Sequence, residues 1–157
     1  MPAQEFALAP EARAQVAEAL ERLLADSYSL YLKTHNYHWN VTGPHFGSLH
    51  TLFETQYTEL ALAVDEIAER IRALGHPAPG SYSQFAALSK VPEATGRPSA
   101  MDMVAHLATD NETCARTAAA AFEAADAVGD QPTGDLAVTR QQLHEKSAWM
   151  LRSFLEV

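Results

Sequence analysis

Residues 46–74, FGSLHTLFETQYTELALAVDEIAERIRAL, form the stretch that decides the fold. Their apolar side chains recur at steps of three and four, the period of a helix that turns one face to a core. The positions of this stripe are Phe46, Leu49, Phe53, Tyr57, Leu60, Val64, Ile67, Ile71 and Leu74. The turn Val41-Thr42-Gly43 and Pro44 precede the stretch, and Gly75 has the residue type that commonly closes a helix. We therefore predict a long amphipathic helix that begins near Pro44 and ends at Gly75.

The remaining long segments have the same period, and Gly and Pro concentrate at a few junctions. Three further long helices are predicted over about residues 10–38, 99–128 and 133–157. Between Gly75 and Pro98, a long connection holds one short helix around residues 84–88. Two helical hairpins joined by a long crossover predict an all-α four-helix bundle of the ferritin type, with the short extra helix between helices 2 and 3.

Length and composition predict a single domain. The chain has 157 residues, 47% of them apolar, but no uncharged apolar stretch approaches the roughly 20 residues of a membrane helix. The start, MPAQEFALAPEARAQ, lacks the basic and apolar segments of a secretion signal. Cys114 is the only cysteine, which leaves no disulfide framework and no cysteine zinc cluster. We expect a soluble, cytoplasmic domain over residues 1–157, with residues 1–9 as a short flexible tail.

The charge balance is strongly acidic. Twenty acidic residues against eleven basic ones give a formal net charge of −9. Such a charge repels nucleic acid phosphates and anionic lipids and attracts cations. Solvated helix faces can also make a chain acidic, so the charge favours a metal-binding function without establishing it.

Four possible metal ligands share a second face of the helix at residues 46–74. They are His50, Glu54, Asp65 and Glu69. On a wheel of about 100° per residue, they centre roughly 110° from the apolar stripe, within an arc of about 100°. The other residues of this arc are small, where a solvated face would carry long charged side chains: Gly47, Thr51, Thr58, Ala61 and Ala68. This face is therefore predicted to be a contact surface that another helix can approach closely.

The spacing of these ligands predicts a two-fold partner. His50 and Asp65 are about 22 Å apart along the helix, so one ion cannot contact both. The ligands form two pairs with four-residue spacing, arranged as a palindrome about a centre between Glu59 and Leu60. An antiparallel copy related by a two-fold axis at that level would bring the first pair of each chain against the second pair of the other. His38, across the turn, is near enough to join the site on its own subunit.

The ligand types narrow the choice of metal. Two imidazoles with several carboxylates and no thiolate suit iron, manganese or zinc, and a carboxylate-rich set favours iron held in two oxidation states. The alternative is a set of ordinary surface ion pairs, because a charged helix face would have the same composition: Asp65, Glu66, Glu69, Arg70 and Arg72. Spacing alone leaves both interpretations open.

Three stretches resemble the Dps family, the ferritin-like mini-ferritins also called DNA-binding proteins from starved cells. They are KTHNYHWNVTGPHFGSLHTLFETQYTEL at residues 33–60, DEIAERIRALG at 65–75 and HEKSAWMLRSFLE at 144–156. The likeness covers the four-helix core and the short crossover helix. It implies that His38, His50 and Glu54 of one subunit, with Asp65 and Glu69 of its two-fold mate, form the family's intersubunit di-iron ferroxidase centre. Glu54 departs from the Asp often found there, which we expect to tune iron binding without abolishing it.

The resemblance also implies an assembly and an activity. Dps-like proteins form hollow dodecamers built from two-fold dimers. They oxidise Fe²⁺, with hydrogen peroxide in preference to dioxygen, store the ferric mineral and protect against oxidative stress. Trp39 and Trp149 resemble the family's aromatics near the centre, which can trap radicals, although core packing is the default interpretation of both. Asp130 and Asp135 resemble in position the acids of the family's three-fold iron pores, although helix capping explains them equally well.

The other histidines carry weaker signals. His106 and Asp110 have the spacing of a ligand pair, and His144 precedes Glu145 on the last helix, but neither forms the Glu-x-x-His motif of bundle-core di-iron sites. We expect these side chains to serve in hydrogen bonding. His35 is a candidate for a supporting contact at the iron site.

Two alternatives to ferroxidase function stay open from the sequence. A nucleoid DNA-binding protein would use a basic tail, but the first twelve residues contain no Lys or Arg, so we expect no appreciable direct DNA binding. A non-enzymatic structural bundle would retain the helices with a degenerate metal site. Iron oxidation by the wild type and by variants without ligands distinguishes this last class from an enzyme.

Overall fold

The computed structural model describes residues 4–156. Its five helices are α1 (Pro10–Asn40), α2 (Phe46–Ala73), α3 (Tyr82–Leu88), α4 (Ala100–Ala127) and α5 (Gln131–Arg152). No strand occurs within the described range, and the long connection between α2 and α4 contains only the short α3. This confirms the all-α bundle with an extra helix in the crossover.

The four long helices enclose one core in two adjoining parts. α1 packs against α2 and α4, α4 packs against α5, and α2 and α5 meet along a much shorter seam. Leu20, Leu23 and Ile67 lie in one part of the core, and Phe53 and Leu107 lie in the other. Most of the apolar stripe of α2 is buried. Burial of apolar surface is the main force that holds these helices together.

The predicted helix ends agree with the structure except in details. Gly75 and Gly129 have φ values of 88° and 72°, the left-handed conformation with which glycine commonly ends a helix. α2 begins at Phe46, later than predicted, because Pro44 belongs to the turn in which Phe46 donates its N–H to the carbonyl of Gly43. α5 ends at Arg152 and does not continue to the C-terminus.

Two buried charged residues of α1 hold the crossover in place. Asp26 accepts hydrogen bonds from the Ser89 hydroxyl at 3.0 Å and the Lys90 N–H at 2.7 Å. Two turns later, Lys33 donates to the carbonyl of Pro92 at 2.9 Å and pairs with Asp110 of α4 at 2.7 Å. The path of the crossover is therefore specified by polar contacts inside the bundle, since a buried charge is costly without such partners.

The described residues before α1 contact the end of the bundle. The guanidinium of Arg13 lies over the Phe6 ring, 3.8 Å from its centroid, and donates to the carbonyl of Leu74 at the end of α2. Leu8 packs against the core. Residues 1–3 of the predicted tail lie outside the described residues, whereas residues 4–9 run along the end of the bundle.

Candidate metal centre

A pair of histidines lies at the corner between α1 and α2. His38 is buried in the last turn of α1, and His50 is half-buried in the second turn of α2. Their rings stack with centroids 3.8 Å apart and planes 15° from parallel. The turn between the helices reverses the chain and includes Gly43 with a φ of 105°, a conformation that favours glycine. This corner places two imidazoles side by side.

Main-chain hydrogen bonds determine the orientation of both rings. Nδ1 of His38 donates to the carbonyl oxygen of His50 at 2.7 Å, and Nδ1 of His50 donates to the carbonyl oxygen of His38 at 2.8 Å. A carbonyl oxygen can only accept, so both Nδ1 atoms carry a proton. In each neutral ring the lone pair is therefore on Nε2, the arrangement of a metal-binding histidine whose other nitrogen is held by an acceptor.

Aromatic rings surround the histidine pair. The ring of His35 lies 3.9 Å from that of Trp39 and 4.2 Å from that of Tyr57, and the Tyr57 ring is 5.1 Å from that of His38. Phe46 stacks on His50 from the other side, at 5.0 Å between centroids. Desolvation, and then the proximity of His38, lower the pKa of His35 below its usual value. His35 therefore favours the neutral form beside the pair.

The carboxylates of the predicted set lie on the exposed face of α2. Glu54, Asp65 and Glu69 are all exposed, as are several of the small residues between them. Asp65 and Glu69 follow the histidine pair by four turns or more of helix. Within residues 4–156, no three His, Cys, Asp or Glu side chains come close enough together to hold a metal ion. The structure thus brings together His38 and His50, and it leaves the distal carboxylates apart from them.

Neither tryptophan is a core residue of the chain. Trp39 is 60% exposed beside the histidine pair, and Trp149 is 67% exposed on α5, where it lines a groove shared with α4. Core packing, the default interpretation from sequence, is wrong for both residues. Trp39 does lie next to the candidate centre, through its contact with His35.

The two acidic residues proposed for a pore occupy different environments. Asp130 is buried and caps α5, accepting from the N–H of Thr133 at 3.2 Å and from the Thr133 hydroxyl. Its carboxylate also pairs with Arg70 of α2 at 2.9 Å. Asp135 is exposed one turn further along α5. Capping is therefore observed for Asp130, and Asp135 has an exposed carboxylate at the same end of the bundle.

The remaining histidine candidates serve as hydrogen-bonding residues. Nδ1 of His106 is 3.0 Å from the Tyr37 hydroxyl, and the neighbouring Asp110 pairs with Lys33. His144 is 1% exposed and bonded through Nδ1 to Asn111 at 2.9 Å. These contacts confirm the hydrogen-bonding role expected of all three side chains.

Comparison with known proteins decides the family. The model of the ferritin-like domain matches residues 17–157. The DNA protection during starvation protein 2 of Bacillus anthracis is 40% identical over 141 residues, which cover 90% of this chain and 97% of that protein. The chain belongs to the Dps family of ferritin-like proteins. Dps from Staphylococcus aureus superposes with a TM-score of 0.87 at 37% identity, covering 90% of this chain and 95% of that one.

A further structure relates the Dps fold to metal chemistry. The Dps protein of Vibrio cholerae, described as a member of a broad superfamily of ferritin-like diiron-carboxylate proteins, has a TM-score of 0.92 and 31% identity, covering 99% of this chain and 98% of that one. Membership of the Dps family places the chain among proteins of iron storage and protection. Across residues 4–156, no helix is long and apolar enough to cross a membrane.

Sequence reasoning missed two features of this corner. The main-chain carbonyls of His38 and His50, which hold the rings, cannot be recognised from residue types. The sequence pattern assigns Tyr57 to the core stripe, yet the residue is half-buried and its ring packs near those of His35 and His38. Its aromatic character and its place at the edge of the stripe nearest the ligand face were the available signals.

Proposed function

We propose that this Dps-family chain is a ferroxidase that oxidises Fe²⁺ at sites shared between two subunits and stores the ferric product. The histidine pair carries this proposal. His38 and His50 each present Nε2 as a ligand at the edge of an exposed helix face, and the carboxylates on that face follow a palindromic order. A second copy of the chain would supply the carboxylates of Asp65 and Glu69, which lie far from the histidine pair in the single chain.

The shape of the face supports an isologous contact. Thr51, Thr58 and Ala61 are exposed and small, so the backbone of another helix can approach closely. Large apolar side chains are exposed around the same region, including Trp39 and Leu62, which are 60% and 67% accessible. Exposed large apolar side chains near one face favour its burial against a partner. An antiparallel α2 across a two-fold axis level with residues 59 and 60 would cover the face.

In such a dimer, each site receives ligands from both chains. His38, His50 and Glu54 come from one subunit, and Asp65 and Glu69 come from the partner subunit. Two imidazoles and three carboxylates suit Fe²⁺ and can stabilise the greater charge of Fe³⁺. Glu54 reaches one methylene further than the Asp often present in the family, which would change the distance between the bound ions.

The substrates of this proposal are Fe²⁺ and hydrogen peroxide, with dioxygen as a second oxidant. Two ferrous ions held together each lose one electron, and one hydrogen peroxide accepts two electrons and two protons to form two water molecules. Because both electrons come from the paired ions, no hydroxyl radical has to leave the site. Trp39 contacts His35 beside the histidine pair, so it would supply the second electron to hydrogen peroxide when only one ferrous ion is bound.

The closed assembly belongs to the same proposal. Twelve chains, built from the two-fold dimers, would enclose a cavity in which the ferric product collects. Asp135, exposed near the start of α5, is the residue proposed to attract Fe²⁺ at a three-fold pore. Asp130 would support this pore by holding the helix start through Arg70.

The rate of iron oxidation tests the proposal. Fe²⁺ is added without oxygen, then hydrogen peroxide, and ferric absorbance is followed in the wild type and in a variant with His50→Ala and Asp65→Ala. The matched control carries His45→Ala and Glu66→Ala, which remove the same residue classes from exposed positions outside the proposed ligand set. We expect fast oxidation in the wild type and in the control and a slow background in the ligand variant. Equal rates in all three would end the ferroxidase proposal.

A further inference from the structure

A second polar group, partly buried, lies where α2 faces α5, separate from the histidine pair. Arg140 of α5 is only 3% exposed. Its guanidinium donates to both carboxylate oxygens of Glu59 on α2, at 2.7 and 2.6 Å. Nη2 of the same guanidinium donates to Nε2 of His144, one turn later on α5, at 3.3 Å. A carboxylate and an imidazole therefore contact one buried cation.

Asn111 of α4 determines how His144 is oriented. Its Nδ2 donates to the carbonyl oxygen of Leu107 at 2.8 Å, so its Oδ1 accepts from Nδ1 of His144 at 2.9 Å. The proton of the neutral imidazole is thus on Nδ1, and the lone pair of Nε2 points toward the guanidinium. An imidazole held at one nitrogen by an acceptor, with the other nitrogen directed at a cation, has the arrangement of a metal ligand.

Gln56 adds an unused oxygen to the same place. The residue is 8% exposed, and neither atom of its amide has a hydrogen-bond partner within the described part of the chain. Gln56 lines a cavity of about 210 Å³ at the seam of α2 and α5, together with Glu59, Asn111 and His144. A buried amide without partners is costly, and its carbonyl oxygen is a donor that divalent cations accept.

We propose that Glu59, His144 and Gln56 form a latent divalent-metal site at the seam of α2 and α5, in which the guanidinium of Arg140 takes the place of the ion. Metal ligands of helix bundles come from facing helices, as these three do from α2 and α5. The guanidinium neutralises the Glu59 carboxylate, which is half-buried, and it repels a metal ion from the same position. Arg140 thereby keeps this seam of each chain free of metal.

Cobalt binding tests this proposal without iron oxidation as a readout. The parent protein carries His50→Ala and Asp65→Ala, which removes the sites proposed at the subunit contact. Co²⁺ bound per chain is measured by equilibrium dialysis and by visible absorption in the parent, in the parent with Arg140→Ala and in the parent with Arg140→Lys. We expect one additional Co²⁺ per chain with Arg140→Ala, whereas Arg140→Lys, which retains a cation, adds none. Adding His144→Gln to Arg140→Ala should abolish the new absorption.

A second neutral variant and the parent protein cover the case in which Arg140→Ala does not fold. Arg140→Met fills more of the volume and serves if Arg140→Ala does not fold, as judged by circular dichroism. A folded neutral variant that binds no additional Co²⁺, or whose Co²⁺ is insensitive to His144→Gln, overturns the proposal. If neither neutral variant folds, the parent decides, because Arg140 is intact there. Co²⁺ binding by the parent that depends on His144 contradicts the proposal, and its absence supports exclusion by Arg140.

Discussion

His38 and His50 orient each other, because each ring donates from Nδ1 to the other residue's carbonyl oxygen, at 2.7 and 2.8 Å. Each imidazole is thus a proposed ligand and at the same time depends on the backbone position of its partner. The turn between α1 and α2 and the stacking of the two rings complete this unit. Because the two rings stack on each other and are proposed to bind the same pair of iron ions, we predict that the two side chains act together.

Loss of either histidine should therefore have nearly the full effect of losing both. We expect His38→Ala and His50→Ala each to reduce the initial rate of iron oxidation by at least about 100-fold, as when a unit of coupled residues is broken. The double variant should be little slower than either single variant. Initial ferric absorbance rates measure this, with His45→Ala as the control. Multiplicative losses in the double variant would show that the two residues contribute independently.

The small residues of the α2 face should be needed for activity although they bind nothing. Ala61→Arg places a long charged side chain on the proposed two-fold contact, and it leaves every proposed ligand in the chain. We expect smaller particles in sedimentation velocity and loss of iron oxidation in the same samples. Ala120→Arg, at an exposed position of α4, is the matched control. Full activity in an Ala61→Arg chain that sediments as a monomer would refute a shared site.

Acid should destabilise the fold through His144. Burial, and next the charge of Arg140, lower its pKa to about 3. Between pH 3 and 6.5 the unfolded chain therefore binds more protons, so stability rises with pH through this range and is lost as pH falls toward 3. The contribution is at most on the order of 5 kcal/mol. Urea unfolding at pH 4 and pH 7, at one chain concentration, should show a smaller pH difference for His144→Gln than for the wild type. An unchanged difference would exclude His144 as the source.

Substitution of Asp130 should change stability, whereas substitution of Asp135 should change the rate of iron oxidation. Asp130→Asn weakens the cap on α5 and the pair with Arg70, so we expect a loss of about 2 kcal/mol in the free energy of unfolding. Asp135→Asn should leave stability within about 0.5 kcal/mol, because the residue is exposed and away from such contacts. It should instead slow oxidation at low Fe²⁺ concentration. Thermal unfolding and iron titrations separate the two effects, and a slower rate only in Asp130→Asn would reverse the assignment.

The helices were predictable because their signals are local. The apolar stripe of α2 and the glycines at positions 75 and 129 act within a few residues of their own place in the chain. The contact between Arg140 and Glu59 joins residues 81 positions apart, so no periodicity reveals it. Phe46 fits the helical stripe but is 45% exposed. The helical period alone does not distinguish a stripe residue that faces its own core from one that faces a partner. For the candidate centre, residue types indicated the ligands, whereas the carbonyl acceptors that orient the rings depend on the folded turn.

The central claim is that each site takes His50 from one chain and Asp65 from its partner. Co-assembly of His50→Ala chains with Asp65→Ala chains, after dissociation and mixing in equal amounts, measures this most directly. Random pairing makes half of the dimers mixed, and each mixed dimer regains one intact site of two, so about a quarter of wild-type iron oxidation should return. Either variant assembled alone should remain at background. If the mixture also stays at background although mixed dimers have formed, His50 and Asp65 do not belong to one site shared between chains, and the account is wrong.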